Sequence, residues 1–266
     1  TWASIHTIPN RECDQFSSLI FSPNSQNLVA YDNSFLTMWE INTWSTIASV
    51  SGGDQLMALD FSPDGSYIAL TNYSNNKVTI LSGSNLSSIT DISIVQSTAL
   101  EFSPSGDTLA VGSGESKLTL FYTSNWMQKY QVSDDDSLGV EGTFDLIFIE
   151  NGNVIVSVHD DPGAALFRNA TTGQLLTYTN NSDLSSGGMY SVGVTQNGSV
   201  IIAPGHFIGL IGKDTDLDSV VDVLDDCPYD SSENIDSDGD GDCDGNDAFP
   251  NDASETTDTD GDGVGD

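Results

Sequence analysis

The sequence predicts an all-β fold for residues 1–213, and three observations predict it. The phrases LIFSPNSQNLVAY, LDFSPDGSYIALT, LEFSPSGDTLAVG, LIFIENGNVIVSV and VGVTQNGSVIIAP are five versions of one unit. Their anchors Phe21, Phe61, Phe102, Phe148 and Val194 are spaced by 40, 41, 46 and 46 residues. No stretch longer than a turn or two carries helical periodicity. Short strands and tight turns recurring every ~40–45 residues are the signature of propeller blades.

Each element of a unit follows from composition. In the second unit, residues 58–61 form a first strand, Ser62-Pro63-Asp64-Gly65 turns the chain, and residues 67–71 form a second strand. An Asn-rich turn leads to a third strand at 78–81 and a fourth at 89–94. Val, Ile, Leu, Phe and Thr fill these runs, while Gly, Pro, Asn, Asp and Ser punctuate them. Phe21, Phe61, Phe102 and Phe148 are expected to be buried between blades. The fifth unit supplies strands at 192–195, 200–203 and 207–211, then runs into an acidic tail without a fourth. The opening TWASIHTI matches the fourth-strand region TWSTIASV at 43–50, so residues 2–8 are expected to close a five-bladed ring. Closure removes open sheet edges, which aggregate. A six- or seven-bladed parent that has lost blades upstream remains the competing reading.

From residue 214 the pattern changes to acidic repeats. Asp214, Asp216, Asp218, Asp222 and Asp225 stand at positions 1, 3, 5, 9 and 12 of a first loop. Asp236, Asp238, Asp240, Asp244 and Asp247 repeat those offsets 22 residues later. Asp258, Asp260, Asp262 and Asp266 begin a third copy 22 residues further on. Val220, Asp242 and Val264 fall at position 7, where a backbone carbonyl ligates. Calcium takes about six to eight oxygen ligands, and an oxygen at every second residue can wrap it. Gly241 and Gly263 occupy the sharp turn at position 6, where the first copy has Ser219. Helices do not follow directly, because Pro228 and Pro250 come just after the loops. The third loop is expected to bind poorly, since the chain stops before its position 12. The bland alternative is a solvated, disordered acidic linker.

The loop run DTDLDSVVDVLDDCPYDSSENIDSDGDGDCDGND resembles thrombospondin type 3 repeats, down to Asp226-Cys227-Pro228 and Asn234. The resemblance implies aspartates wrapped around calcium with almost no hydrophobic core. It also implies a cystine tying neighbouring repeats, and Cys227 and Cys243 fall where such a pair belongs. Residues 1–213 resemble the WD-repeat propeller families more loosely. Trp39 in TMWEI stands near the family's Trp-Asp dipeptide, whereas other copies read TILSG, TLFYT and LFRNA. The family's Gly-His pair is missing from every unit. This resemblance implies a fold and says little about ligand.

Charge divides the chain at the same boundary. Twenty of the 40 acidic residues lie in 214–266, and none of the six Lys and Arg does. A net charge of −34 leaves no basic footprint for nucleic acid or an anionic membrane. No apolar run approaches the ~18 residues of a spanning helix. With no initiator Met and no signal pattern, the chain reads as a piece of a longer protein. Calcium loops and a cystine both suit an extracellular or cell-surface location, where five sequons (Asn72, Asn85, Asn169, Asn180, Asn197) would be usable. The abundance of Asp with few Lys could equally mark a salt-adapted cytoplasmic protein.

Catalytic chemistry is sparse. His6, His159 and His206 are scattered over different units. His159-Asp160-Asp161 and His206 stand at strand ends and could face a rim and hold a metal, although solvated turn residues explain them as simply. Asp60 and Glu101 occupy equivalent positions on neighbouring first strands, as a glycosidase pair would. The other units place Ile20, Ile147 and Gly193 there, so sequence drift explains the pair better. Asp134-Asp135-Asp136 fits a solvated loop, and Cys13 has no matched His. There is no GxSxG, phosphate loop or HExxH. The expected function is a non-enzymatic, calcium-binding adhesion or interaction module whose propeller takes a protein or glycan ligand. The alternative is a secreted propeller hydrolase or lyase with a rim active site, in which the acidic repeats are a spacer.

Overall fold

The computed structural model describes residues 18–32, 35–51, 56–133, 142–159, 163–180, 189–194, 200–204, 209–211, 215, 226–233, 235–259, 263 and 265. It is an all-β, propeller-like fold of successive antiparallel sheets, each built from strands adjacent in sequence. The first sheet contains β1 (Ser18–Phe21), β2 (Asn27–Tyr31), β3 (Phe35–Glu40) and β4 (Thr46–Ser51). The second contains β5 (Leu59–Phe61), β6 (Tyr67–Asn72), β7 (Lys77–Ser82) and β8 (Ser88–Ser93). The third contains β9 (Ser97–Phe102), β10 (Thr108–Ser113), β11 (Lys117–Tyr122) and β12 (Gln128–Ser133). The fourth contains β13 (Thr143–Ile149), β14 (Val154–His159), β15 (Ala164–Asn169) and β16 (Leu175–Asn180). A fifth, three-stranded sheet contains β17 (Met189–Val194), β18 (Val200–Pro204) and β19 (Gly209–Ile211). The strand proposed at 2–8 lies outside the described residues. The chain divides into two compact units, residues 1–192 with 202–208, and residues 193–201 with 209–266.

The Phe-Ser-Pro turns explain why the units repeat. In each of the first three sheets a buried serine (Ser22, Ser62, Ser103) both donates and accepts across the turn after the first strand. Its N–H reaches the carbonyl of Asn27, Tyr67 or Thr108 at 2.9, 3.0 and 2.9 Å. Its Oγ accepts the N–H of the same residue at 2.9, 2.9 and 3.1 Å. The turn needs a positive φ at its fourth residue, where Gly65 and Gly106 have φ of 73° and 75°. The prolines then join turn to turn. Pro23 Cδ lies 3.7 Å from where a side chain on Gly65 would begin. Pro63 approaches Gly106 to 3.5 Å in the same way, and Pro104 approaches Gly152 to 3.2 Å.

A second repeated device closes the outer hairpin of four sheets. Trp44, Leu86, Trp126 and Gly173 adopt φ of 55°, 58°, 58° and 75°. Their N–H groups reach back to Glu40, Ser82, Tyr122 and Asn169 carbonyls at 2.7, 3.0, 2.8 and 2.8 Å. The register of the third and fourth strands slips at the same place in all four sheets. A left-handed conformation is unusual for a bulky residue. Trp126 offsets its cost by packing edge-on to Tyr67 at 5.1 Å and Phe102 at 6.5 Å.

The core lies between consecutive sheets. Phe61 packs with Val29, Leu36 and Met38 of the first sheet. Phe102 packs with Ala69, Val78 and Ile80 of the second. Phe148 packs with Ala99, Leu118 and Leu120 of the third. These three rings are 6%, 4% and 5% exposed, but Phe21 is 57% exposed, contrary to the sequence expectation. The reason is positional: each buried ring is covered by the sheet before it, and no described sheet precedes β1.

The tail is ordered by turns rather than strands among its described residues. Its hydrogen bonds repeat at the sequence period. Asp230 N–H donates to the Cys227 carbonyl at 2.9 Å, and Asp252 N–H to the Phe249 carbonyl at 2.8 Å. Ser232 Oγ donates to Asp230 at 2.6 Å, and Ser254 Oγ to Asp252 at 2.7 Å. Gly241 N–H donates to Asp236 and Gly263 N–H to Asp258, both at 2.9 Å. A disulfide joins Cys227 to Cys243 across 16 residues, and Cys227 is buried. In the following repeat Phe249 and Gly265 stand at the equivalent places, so that joint has no cystine.

Two outcomes follow from this packing. Phe102→Ala should lose about 3–5 kcal/mol in urea unfolding through transfer and cavity terms, whereas Phe21→Ala should lose under about 0.5 kcal/mol. Equal losses would contradict the inter-sheet core. Non-reducing peptide mapping of oxidised protein should recover Cys227 and Cys243 in one linked pair, with about 3 kcal/mol of loop-closure stabilisation; two free thiols would contradict the pairing.

Candidate functional site

Of the three acidic loops, the second is described throughout. The alternate spacing of Asp236, Asp238 and Asp240 brings one carboxylate oxygen from each within 4.8 Å of the others. The loop's own backbone holds this geometry. Asp236 accepts Gly241 N–H at 2.9 Å and Gly239 N–H at 2.7 Å, and these bonds lower its pKa. Gly241 sits at φ 101°, which lets its N–H turn back onto position 1. Asp240 accepts Asp242 N–H at 2.8 Å.

Asp238 is the strained member. Both its oxygens are buried with no hydrogen-bond partner. Desolvation raises its pKa, and the charges of Asp240, Asp247 and Asp236 add to the rise, opposed only by the Asp240 N–H. Asp247, at position 12, is only 8% exposed. One of its oxygens accepts Phe249 N–H at 2.7 Å, and the other is buried without a partner. Three oxygens held out of water with no donor are the environment a hard cation satisfies. The donor set is all oxygen, which suits calcium. Asp244 faces elsewhere: its two oxygens accept the N–H and Oγ of Ser237, each at 2.7 Å. Asp242 is exposed.

The other predicted ligands divide by position. Asp214, Asp216, Asp218, Val220, Asp222 and Asp225 of the first loop lie outside the described residues. So do Asp260, Asp262, Val264 and Asp266 of the third. Asp258 is described and accepts Gly263 N–H, matching Asp236 one repeat earlier.

The sheets hold a second acidic constellation. Asp60 on β5 accepts Phe102 N–H from β9 at 2.8 Å. Glu101 on β9 accepts Phe148 N–H from β13 at 2.8 Å. Asp145 on β13 accepts Val192 N–H and Ser191 Oγ from β17, both at 3.1 Å. Each carboxylate therefore bonds the first strand of the next sheet. Burial pushes the Asp60 pKa up to about 6, against the Phe102 N–H. Burial pushes Glu101 up to about 8, against the Phe148 N–H and with the Asp60 and Asp145 charges adding. Burial also raises Asp145, although Val192, Leu146 and Ser191 oppose it. Asp60 and Glu101 were legible in the sequence as equivalents, but Asp145 was not. It stands two residues before the aligned Ile147, beside a register shift between Thr143 and Asp145.

His159 is neither a rim ligand nor a solvated turn residue. It ends β14 fully buried, with its Nε2 2.9 Å from Ser157 Oγ. Desolvation, with Arg168 adding, lowers its pKa to about 4, so the ring is neutral. Ser157 is itself only 1% exposed, so the pair lies within the packed sheet. Asp160, Asp161, His6, His206, Cys13 and Asp134 to Asp136 lie outside the described residues. Of the sequons, Asn85 is exposed, while Asn72 is buried and caps the N–H of Asn75 at 3.0 Å.

No family model and no curated protein matches this chain. Among solved structures it is similar to a chain of Kuenenia stuttgartiensis hydrazine synthase, with a TM-score of 0.63 and 14% identity. The match covers 81% of this chain and 64% of that one. At this identity the likeness is one of fold alone.

Proposed function

We propose that this chain is a non-enzymatic, calcium-binding extracellular or cell-surface protein. In this reading the propeller-like sheets bind a protein or glycan ligand, and the acidic repeats of 214–266 form a calcium-stiffened tail that carries them, an adhesion or interaction module. The observation that carries the calcium reading is the second loop. Asp236, Asp238, Asp240 and Asp247 would hold the ion, with Asp238 and Asp247 contributing the oxygens that have no donor. Calcium would neutralise their mutual repulsion and so couple ordering to binding. The disulfide suits a non-cytoplasmic compartment, and calcium loops are useful where calcium is plentiful. No helix among the described residues is long and apolar enough to cross a membrane.

One observation favours the secreted hydrolase or lyase instead. Glu101 keeps its proton near neutrality beside two other carboxylates, as a general acid must. Each of these groups, however, is engaged by a backbone N–H of the adjoining sheet, which suits a structural role.

Calorimetric titration of the full chain should show at least two bound calcium ions, and Asp238→Asn should remove one of them. Chelation should expose 214–266 to protease while the sheets stay folded. No calcium heat, or proteolysis indifferent to chelator, would contradict the calcium reading.

A further inference from the structure

The inner carboxylates pose a problem that the calcium reading does not address. β5 lies beside β9, and β9 beside β13, so Asp60, Glu101 and Asp145 follow one another along the first strands of three sheets. Each is half-buried, and each bonds the N–H of the sheet that follows. No described cation faces them. Lys77 pairs with Asp91 at 2.8 Å, and Lys117 pairs with Glu115 at 2.7 Å. Lys129 sits over Tyr122, and Arg168 donates to the Gly173 carbonyl. The strands β6 and β10, which also pack against β9, bring no acid or base to Glu101. Its charged neighbours are Asp60 from β5 and Asp145 from β13.

Three carboxylates in a row, with no counter-cation among the described residues, cannot all be ionised without repulsion across the sheet boundaries. We infer that Asp60, Glu101 and Asp145, each bonded to the first strand of the next sheet, form a proton-responsive joint that holds the sheets together when a proton is shared among them and loosens when all three are ionised. The protonated group keeps its carbonyl oxygen as acceptor for Phe148 N–H, so the inter-sheet bond survives while the charge is removed. Ionisation leaves a third negative charge between its two neighbours.

The direction of the pH effect is fixed by linkage. Glu101 titrates near 4.5 when unfolded and about 8 when folded, so between these values the folded chain binds more protons. Its contribution is fully present at low pH and fades as pH rises through about 8. Asp60 acts in the same direction between 3.8 and about 6. Buried His159 acts oppositely, because its folded pKa of about 4 lies below 6.5. The clear window for Glu101 is therefore from 6.5 to about 8.

Tryptophan fluorescence isolates the sheets, because all four Trp lie before residue 214. Thermal unfolding of the full chain, followed by this signal in excess calcium and again in chelator, tests the joint. The melting temperature should fall by a few degrees across the window under both conditions. Glu101→Gln, which keeps the acceptor, should flatten the fall and melt higher than the parent at the alkaline end. Asp60→Asn removes one repelling charge and should move the fall to lower pH. A flat parent profile would overturn the inference, as would an unchanged slope in Glu101→Gln. A fall seen only in chelator would also overturn it, because a cation rather than a proton would then be neutralising the carboxylates.

Discussion

A chain with 40 acidic and six basic residues cannot pair its carboxylates with its own cations. Each carboxylate withdrawn from water has to find backbone N–H groups, a proton or a foreign cation, and its surroundings decide which. On turn surfaces, short-range donors are enough. Asp64 is served by Ser62 and Ser66, and its pKa falls. Between sheets one to three donors reach each acid, but burial outweighs them and the pKa rises. In the second tail loop two well-formed donors reach Asp236, while Asp238 is left under-satisfied. The same deficit of positive charge underlies both proposals, protons in the sheets and calcium in the tail.

The two regions also obtain their order differently. The second, third and fourth sheets each bury a phenylalanine against the sheet before, so stability is shared along the series through cores such as that around Phe102. Serine-capped turns and the proline-to-glycine contacts fix the spacing between neighbours. Among its described residues the tail has no such core: Tyr229 and Ile235 are 86% and 52% exposed. Its repeat is written in hydrogen bonds that recur every 22 residues, and in one cystine. A segment built this way cannot fold on apolar burial.

The strands were legible because alternation and turn residues are local signals. The second-unit strands expected at 58–61, 67–71, 78–81 and 89–94 lie within one residue of those observed. Phe21 departs from the expected burial because burial depends on a neighbouring sheet, which a strand's own sequence does not report. The left-handed turns at Trp44, Leu86 and Trp126 were missed since bulky residues give no turn signal. Asp145 falls outside the aligned position because it stands two residues before Ile147, on the same face of β13. A strand-end His beside two acids reads as rim or turn, yet His159 belongs to a strand whose residues are all buried. In the tail, Asp offsets revealed the loop but not that Ser237 engages Asp244.

Hydrogen exchange measured by mass spectrometry, with calcium and with chelator, tests most directly whether calcium supplies the charge the tail lacks. The account predicts slow exchange at Gly239, Gly241 and Asp242 only with calcium, while protection of β5 to β16 is the same in both conditions. Equal protection of the loop in calcium and in chelator would contradict it.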